Sequence, residues 1–222
     1  MIKLLFLLMV LPLAAFDPVD MSEITFINRL ASGCSIEFVF VAPSGGNAWG
    51  PDLLKKASAP GIKPQKLISD AEMSCYIYSL RDGAGYDVLA MDGNGDSYVI
   101  YNVRVNSGNE AVVPVTELTR NMKAIAGLLL DTVTIVNDTG EDLYYLFFSP
   151  PGSDLWGIEL LNRETTLPSG ERMVFIIIGA RSGFSREVLA FDKNGRQYKK
   201  KVTFVTGDVH SPVVVTNRDA AQ

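Results

Sequence analysis

Three oxygen-bearing side chains stand two residues apart in "DGNGD", at Asp92, Asn94 and Asp96. A calcium loop of the EF-hand type uses that spacing, but it also requires glycine at its sixth position and a bidentate glutamate at its twelfth. Counted from Asp92, those places hold Ser97 and Val103. One hundred residues later the chain reads "DKNGR", with Arg196 where the third ligand would stand. Both stretches keep Asp, any residue, Asn, Gly. That is hairpin chemistry: Asp accepts a backbone N–H, Asn tolerates the bridge or left-handed region, and Gly supplies a positive φ. The stretch therefore reads as a turn, and no metal or other cofactor is called for.

Other residues that could do chemistry are few. His210 is the single histidine, so a Ser-His-Asp or Cys-His hydrolase would depend on this one imidazole. It sits in "GDVHSP", a turn-like stretch, and no nucleophile elbow occurs in the chain. One His and two Cys match no zinc spacing. Cys34 and Cys75 form no Cys-x-x-Cys and read either as buried thiols or as a disulfide, which an oxidising compartment would favour. A glycosidase needs two carboxylates about 5–10 Å apart across a cleft. Asp52 and Asp87 can be named for that pair, although nothing in the sequence brings them together.

These residues must be positioned by a chain that is written twice. "VTIVNDTGEDLYYLFFSPPGSDLWGIELL" (133–161) restates "ITFINRLASGCSIEFVFVAPSGGNAWGPDLL" (24–54), with Asn28 matching Asn137, Pro43 matching Pro150, and Trp49-Gly50 matching Trp156-Gly157. After a segment of unequal length the match resumes at an offset of 100, where Leu67, Ser69, Met73 and Val88-Leu89-Ala90 meet Leu167, Ser169, Met173 and Val188-Leu189-Ala190. Internal repetition of this kind indicates two homologous modules. Each contains short runs rich in β-branched and aromatic residues, bounded by Gly, Pro, Asn or Ser, which are strand signals. Alternation in "CSIEFVFV" places Cys34, Ile36, Phe38 and Phe40 on one face. The same rule groups Met73, Cys75 and Ile77, and Met173, Phe175 and Ile177. The expected fold is all-β: two tandem immunoglobulin-like antiparallel β-sandwich modules at 16–117 and 132–222, joined by a short helical or ordered connector at 118–131.

The N-terminal run "MIKLLFLLMVLPLAAFDP" has one cation, an apolar stretch from Leu4 to Leu13 and small residues at Ala14 and Ala15. This is the pattern of a secretory signal peptide at residues 1–15, too short to span a bilayer. Losing Lys3 leaves 19 Lys+Arg against 25 Asp+Glu, a net charge of −6. That acidity speaks against nucleic acid as a partner. The expected protein is exported, periplasmic or extracellular, and not an integral membrane protein.

The succession of Asn, then Ser/Ala-Pro, Trp-Gly, Leu-Leu and a Gly-containing hairpin resembles uncharacterised secreted β-rich modules of bacteria, here in tandem. The second copy, "VNDTG…LYYLFFSP…LWGIELL…LPSG", fits that pattern better than the first. The resemblance implies a secreted β-rich module and brings no activity with it.

Two surfaces remain as candidates for binding. Trp49 and Trp156 could stack on sugars or anchor a partner, but their shared setting favours packing within each module. "KKASAPGIKPQK" (55–66) stands where the second copy has "NRETT". With Trp49, its cations Lys55, Lys56, Lys63 and Lys66 form the candidate partner-binding surface. "RQYKKK" (196–201) reads as a strand edge guarded by lysines rather than as a patch for an anionic polymer. The function expected is that of an exported non-enzymatic binding, adhesion or envelope-structural protein whose partner is a protein or cell-surface glycan. The alternative is a carbohydrate-directed protein, either lectin-like or a weak glycosidase.

Overall fold

The computed structural model describes residues 21–46, 48–54, 56–57, 65–79, 82–121, 129–153, 155–163, 165–179, 184–204 and 212–221. The signal segment, Lys55, Lys63, His210 and residues 122–128 of the expected connector lie outside them. The described chain is all-β. The first half contributes β1 (Met21–Asn28), β2 (Ile36–Pro43), β3 (Lys56–Ala57), β4 (Glu72–Ser79), β5 (Ala84–Asp92), β6 (Ser97–Val105) and β7 (Ala111–Val115). The second contributes β8 (Leu129–Asp138), β9 (Leu143–Ser149), β10 (Leu155–Ile158), β11 (Arg172–Gly179), β12 (Phe184–Asp192), β13 (Gln197–Phe204) and β14 (Val213–Thr216). A 3-10 turn at Glu117–Thr119 follows β7 and a matching one at Asn217–Asp219 follows β14, and Leu129–Asp131, expected in the connector, already belong to β8. No helix among the described residues is long and apolar enough to cross a membrane.

Four sheets result. β2-β5-β6 and β13-β12-β9 each draw on one half, with a hairpin joining β5 to β6 and β12 to β13 and a crossover placing β2 beside β5 and β9 beside β12. The other two do not. One sheet runs β10-β4-β1-β7 and the other β14-β8-β11-β3, so each half places one strand on the edge of the other half's sheet. In both, the last strand of the half lies parallel to its first: β7 pairs with β1 and β14 with β8. Sheet hydrogen bonding thus crosses the expected module boundary twice.

The apolar faces close accordingly. Ile24, Phe26, Val39, Val88 and their second-half counterparts Val133, Ile135, Leu146 and Val188 all belong to one continuous cluster, which Leu53, Leu54, Leu160 and Leu161 also join. Met173, Phe175 and Ile177 share it, as do Cys75 and Ile77, with Met73 packed against it, as alternation predicts. Full burial of one such aliphatic or aromatic side chain stabilises by about 1.5–3 kcal/mol.

The face assigned to β2 needs correction. Ile36 pairs with Asp92 and Phe38 with Met91, so Glu37 is an extra residue and the register slips by one. A bulge of this kind moves every later side chain to the opposite face. Ile36, Val39 and Val41 consequently line the main core, while Phe38 and Phe40 turn outward and stack at 6.2 Å between ring centroids. The second half bulges at the matching place: Phe191 pairs with Tyr145 and Asp192 with Leu143, leaving Tyr144 over.

Candidate functional site

The residues singled out by their chemistry are held by backbone groups. In the hairpin at Asp92, one carboxylate oxygen accepts the N–H of Asn94 and of Asp96 at 2.9 Å each, and the other accepts the Tyr98 hydroxyl at 3.2 Å. Asp192 does the same with Asn194, Arg196 and Tyr198. Asp96 forms an ion pair with Arg120. The turn reading of "DGNGD" therefore has its donors and acceptor in place. Burial, then the charge of the neighbouring aspartate, raises the Tyr98 and Tyr198 hydroxyls above the ordinary tyrosine range.

Asp87 accepts from Ser44 Oγ at 2.8 Å, from Gly45 N–H at 3.1 Å and from Asn102 N–H at 2.8 Å, tying a loop to the bulged edge of β6. Asn28 and Asn137, both fully buried, each donate to two backbone carbonyls and accept one backbone N–H, fastening the first strand of each half to the loops beside it.

A further buried polar site is the acid in Trp-Gly-x-acid-Leu-Leu, of which sequence reasoning named only Asp52, and that for glycosidase chemistry with Asp87. Asp52 is 1% exposed and Glu159 likewise. Asp52 donates its own N–H across the molecule to the carbonyl of Ile176 at 2.8 Å. Its carboxylate reaches back to its own half, accepting Val39 N–H at 2.8 Å and Leu54 N–H at 3.3 Å. Glu159 mirrors each contact. Its N–H donates to the Tyr76 carbonyl at 2.8 Å, and its carboxylate accepts from Leu146, Leu161 and Arg163 N–H at 2.9–3.0 Å. One residue in each half thus bridges a strand of its own and a strand of the other. The pair forms a reciprocal clasp.

Local chemistry explains how the two clasps differ. Ile158 pairs with Ile77 in the β10–β4 ladder, beyond a register shift between Leu155 and Gly157, but its counterpart Pro51 has no N–H to donate. On the first half's side, ladder pairing among the described residues comes further on, where Lys56 meets Phe175 and Ala57 meets Val174. Arg163, the counterpart of Lys56, lies over the Tyr76 ring at 4.9 Å. The glycine after each tryptophan serves two purposes. Gly157 has a φ of 77°, open to glycine, whereas a Cβ on Gly50 would stand 3.1 Å from the Val41 carbonyl oxygen.

Both tryptophans pack between the halves. Trp156, 4% exposed, joins Tyr145, Phe147 and Phe191 on the outer face of the second half's three-stranded sheet, and Met21 and Tyr78 of the first half pack against them. Trp49 is half-buried beside Phe38 and Phe40, in a cluster completed by Ile178 of the second half. Arg186 donates to the Trp49 carbonyl at 3.3 Å, and burial lowers its guanidinium to about 10. Between the clasps a small apolar cavity, lined in matching pairs by Val41 and Phe148, Pro43 and Pro150, and Leu53 and Leu160, holds about 10 Å³. That is room for about one water, far below the 300 Å³ or more of a small-molecule site.

The remaining candidates are scattered. Lys66 pairs with Glu37 at 2.6 Å, and Lys56 contributes its backbone to β3. Cys34, half-buried, and Cys75, buried, border the same core cluster and stand as thiols. β13 is a sheet edge, as the lysine-guard reading expects. Lys199 pairs with Glu187 at 3.4 Å and Lys200 with Asp219 at 3.2 Å. The structure therefore gathers Trp49 and the first clasp acid at the half–half boundary but does not draw Lys66 to them through any contact described above. No known family model matches this chain, and no curated protein matches it either.

Proposed function

We propose that the chain is an exported, non-enzymatic binding, adhesion or envelope-structural protein built from a duplicated immunoglobulin-like β-sandwich. The observation that carries the non-enzymatic reading is the fate of the buried carboxylates. Asp52, Asp87, Asp92, Asp192 and Glu159 each accept at least two donors, most of them backbone N–H groups. Carboxylates so engaged hold loops and strands in place. A general acid or base must instead face a substrate proton. The pair named for glycosidase chemistry, Asp52 and Asp87, divides between the clasp and the Ser44 loop. That division, with Trp156 buried, weighs against the carbohydrate-directed alternative.

Support for the immunoglobulin-like assignment comes from strand order. β2-β5-β6 follows the C-F-G arrangement, and β10-β4-β1 follows D-E-B with the D-position strand supplied by the other half. β7 takes the place of strand A but runs parallel to β1. Export rests on the N-terminal pattern, and duplication on the repeated sequence with its repeated registers.

Binding is assigned to the segment in which the halves differ most, 55–66, together with Trp49, its target a protein or cell-surface glycan. The test is to immobilise the mature chain, and a variant whose residues 58–66 are replaced by a short Gly-Ser turn that spares β3, and to present both with envelope extract and a glycan array. A ligand retained by the first and lost by the second, at equal melting temperature, supports the reading. Equal retention moves the site elsewhere, and turnover of any glycoside would overturn the non-enzymatic reading.

A further inference from the structure

The contacts joining the halves come in equivalent pairs. Asp52 to Ile176 answers Glu159 to Tyr76, each crossing residue being anchored in its own half by its carboxylate, through Val39 and Leu146 respectively. Ile178 covering Phe40 answers Tyr78 covering Phe147, whose ring lies 5.4 Å away. Each half alone lacks the strand that completes its four-stranded sheet and leaves an apolar sheet face uncovered. What each half requires is the other kind of half. None of these contacts requires that it come from the same chain, since the covalent link is only the seven residues between Asn121 and Leu129.

We infer that the clasp also closes between two copies of this chain, the first half of one copy engaging the second half of the other and the reverse, in an exchanged dimer. The surface that docks the second copy is continuous with, and identical to, the half–half boundary already described. Every hydrogen bond and apolar contact of the closed chain is present twice in such a dimer. The balance between the two forms then rests on the connector and on concentration. A short tether holds its ends at an effective concentration of about millimolar, so closure within one chain prevails in dilute solution. Exchange of a folded chain requires both clasps and the shared core to open, so the partition is decided during folding and persists afterwards. For a binding protein the exchanged form doubles every partner-facing surface without any new contact. This inference rests on the strand exchange and not on the proposed function, and either can fail without the other.

The experiment uses the full mature chain in two isotopic forms, unfolded together in denaturant and refolded at concentrations from about micromolar to about millimolar, a range that rises to the effective concentration of the tether. Size-exclusion chromatography and native mass spectrometry then read the products. The expected result is a dimer whose fraction rises with refolding concentration, which contains mixed-mass pairs in statistical proportion, and which survives dilution until it is unfolded again. A second variant lacking residues 123–127 should shift further toward dimer at the same concentration. Monomer alone at every concentration overturns the inference. So does a dimer that disperses on dilution without unfolding, because that marks association of outer surfaces or capture of a different edge. If the shortened variant does not fold, the label mixing of the wild-type chain decides alone.

Discussion

Replacing Asp52 by alanine removes a carboxylate that accepts two buried backbone N–H groups, from Val39 at 2.8 Å and Leu54 at 3.3 Å. Alanine offers those donors no acceptor. Each buried donor left without one costs about 1–3 kcal/mol, so Asp52→Ala should cost about 4 kcal/mol in all. Whole domains are stable by only about 5–15 kcal/mol, so the effect is large. Asp52→Asn keeps one side-chain oxygen and should cost about 1–2 kcal/mol through loss of the charge-assisted bond. The informative quantity is where the loss appears. Asp52 belongs to the first half, yet its own N–H binds Ile176 of the second, and both halves feed one apolar cluster. Urea unfolding followed by fluorescence of single-tryptophan chains, Trp49 alone and Trp156 alone, provides one probe per half. Both should report the same midpoint in the parent, and Asp52→Ala should lower both equally. If the Trp49 transition moves while the Trp156 transition stays, the halves are independent domains and the reasoning from the clasp is refuted.

Four further outcomes follow from the same geometry. Glu159→Ala should match or exceed Asp52→Ala in its cost, because Glu159 accepts three backbone N–H groups, and should likewise shift both tryptophan probes. Calcium at millimolar levels should leave the melting temperature unchanged, since Asp92 already accepts three donors, whereas a site filled at 100 times its dissociation constant would stabilise by about 2.7 kcal/mol; a clear rise abolished by Asp96→Asn would contradict this. Tyr98 and Tyr198 hold their protons more tightly folded than unfolded, so above the ordinary tyrosine value of about 10 the unfolded chain binds fewer protons and stability falls as pH rises. Tyr98→Phe with Tyr198→Phe should flatten that alkaline loss in denaturation curves taken across the range. Asn137→Ala should cost about 2–4 kcal/mol by leaving the buried Thr139 N–H without its acceptor and removing one of the two donors at each of the Glu141 and Leu167 carbonyls, read from the shift in urea midpoint at unchanged slope.

Much of the fold was legible in the residues because period-2 alternation fixes faces, and Asp-x-Asn-Gly fixes a hairpin whatever surrounds it. Met173, Phe175 and Ile177 share a core for the first reason, and Asp92 and Asp192 hold identical turns for the second. Alternation failed at Phe38 and Phe40 because a bulge inserts one residue without a residue type that announces it. Glu37 and Tyr144 occupy the same bulge and have nothing else in common. The exchange of strands was hidden for a deeper reason. In a duplicated sequence the segment at Asp52 complements the edge of its own half about as well as that of the other, so pattern alone cannot choose between them. The clasp acid was concealed by its company. Beside Trp-Gly and Leu-Leu an exposed acid would be ordinary, and its donors, Val39 and Leu146, lie 13 residues upstream in each half. The surviving signal was the one shared carboxylate in an otherwise apolar repeated stretch.

The reciprocal clasp is tested most directly by through-hydrogen-bond scalar coupling in the isotopically labelled chain, read at the amides of Asp52 and Glu159. The structure predicts coupling from the Asp52 N–H to the carbonyl of Ile176 and from the Glu159 N–H to the carbonyl of Tyr76, each across a 2.8 Å bond between the halves. Coupling of Asp52 to Tyr76 and of Glu159 to Ile176 would mean that each half completes its own sheet, and the exchange described here would be wrong.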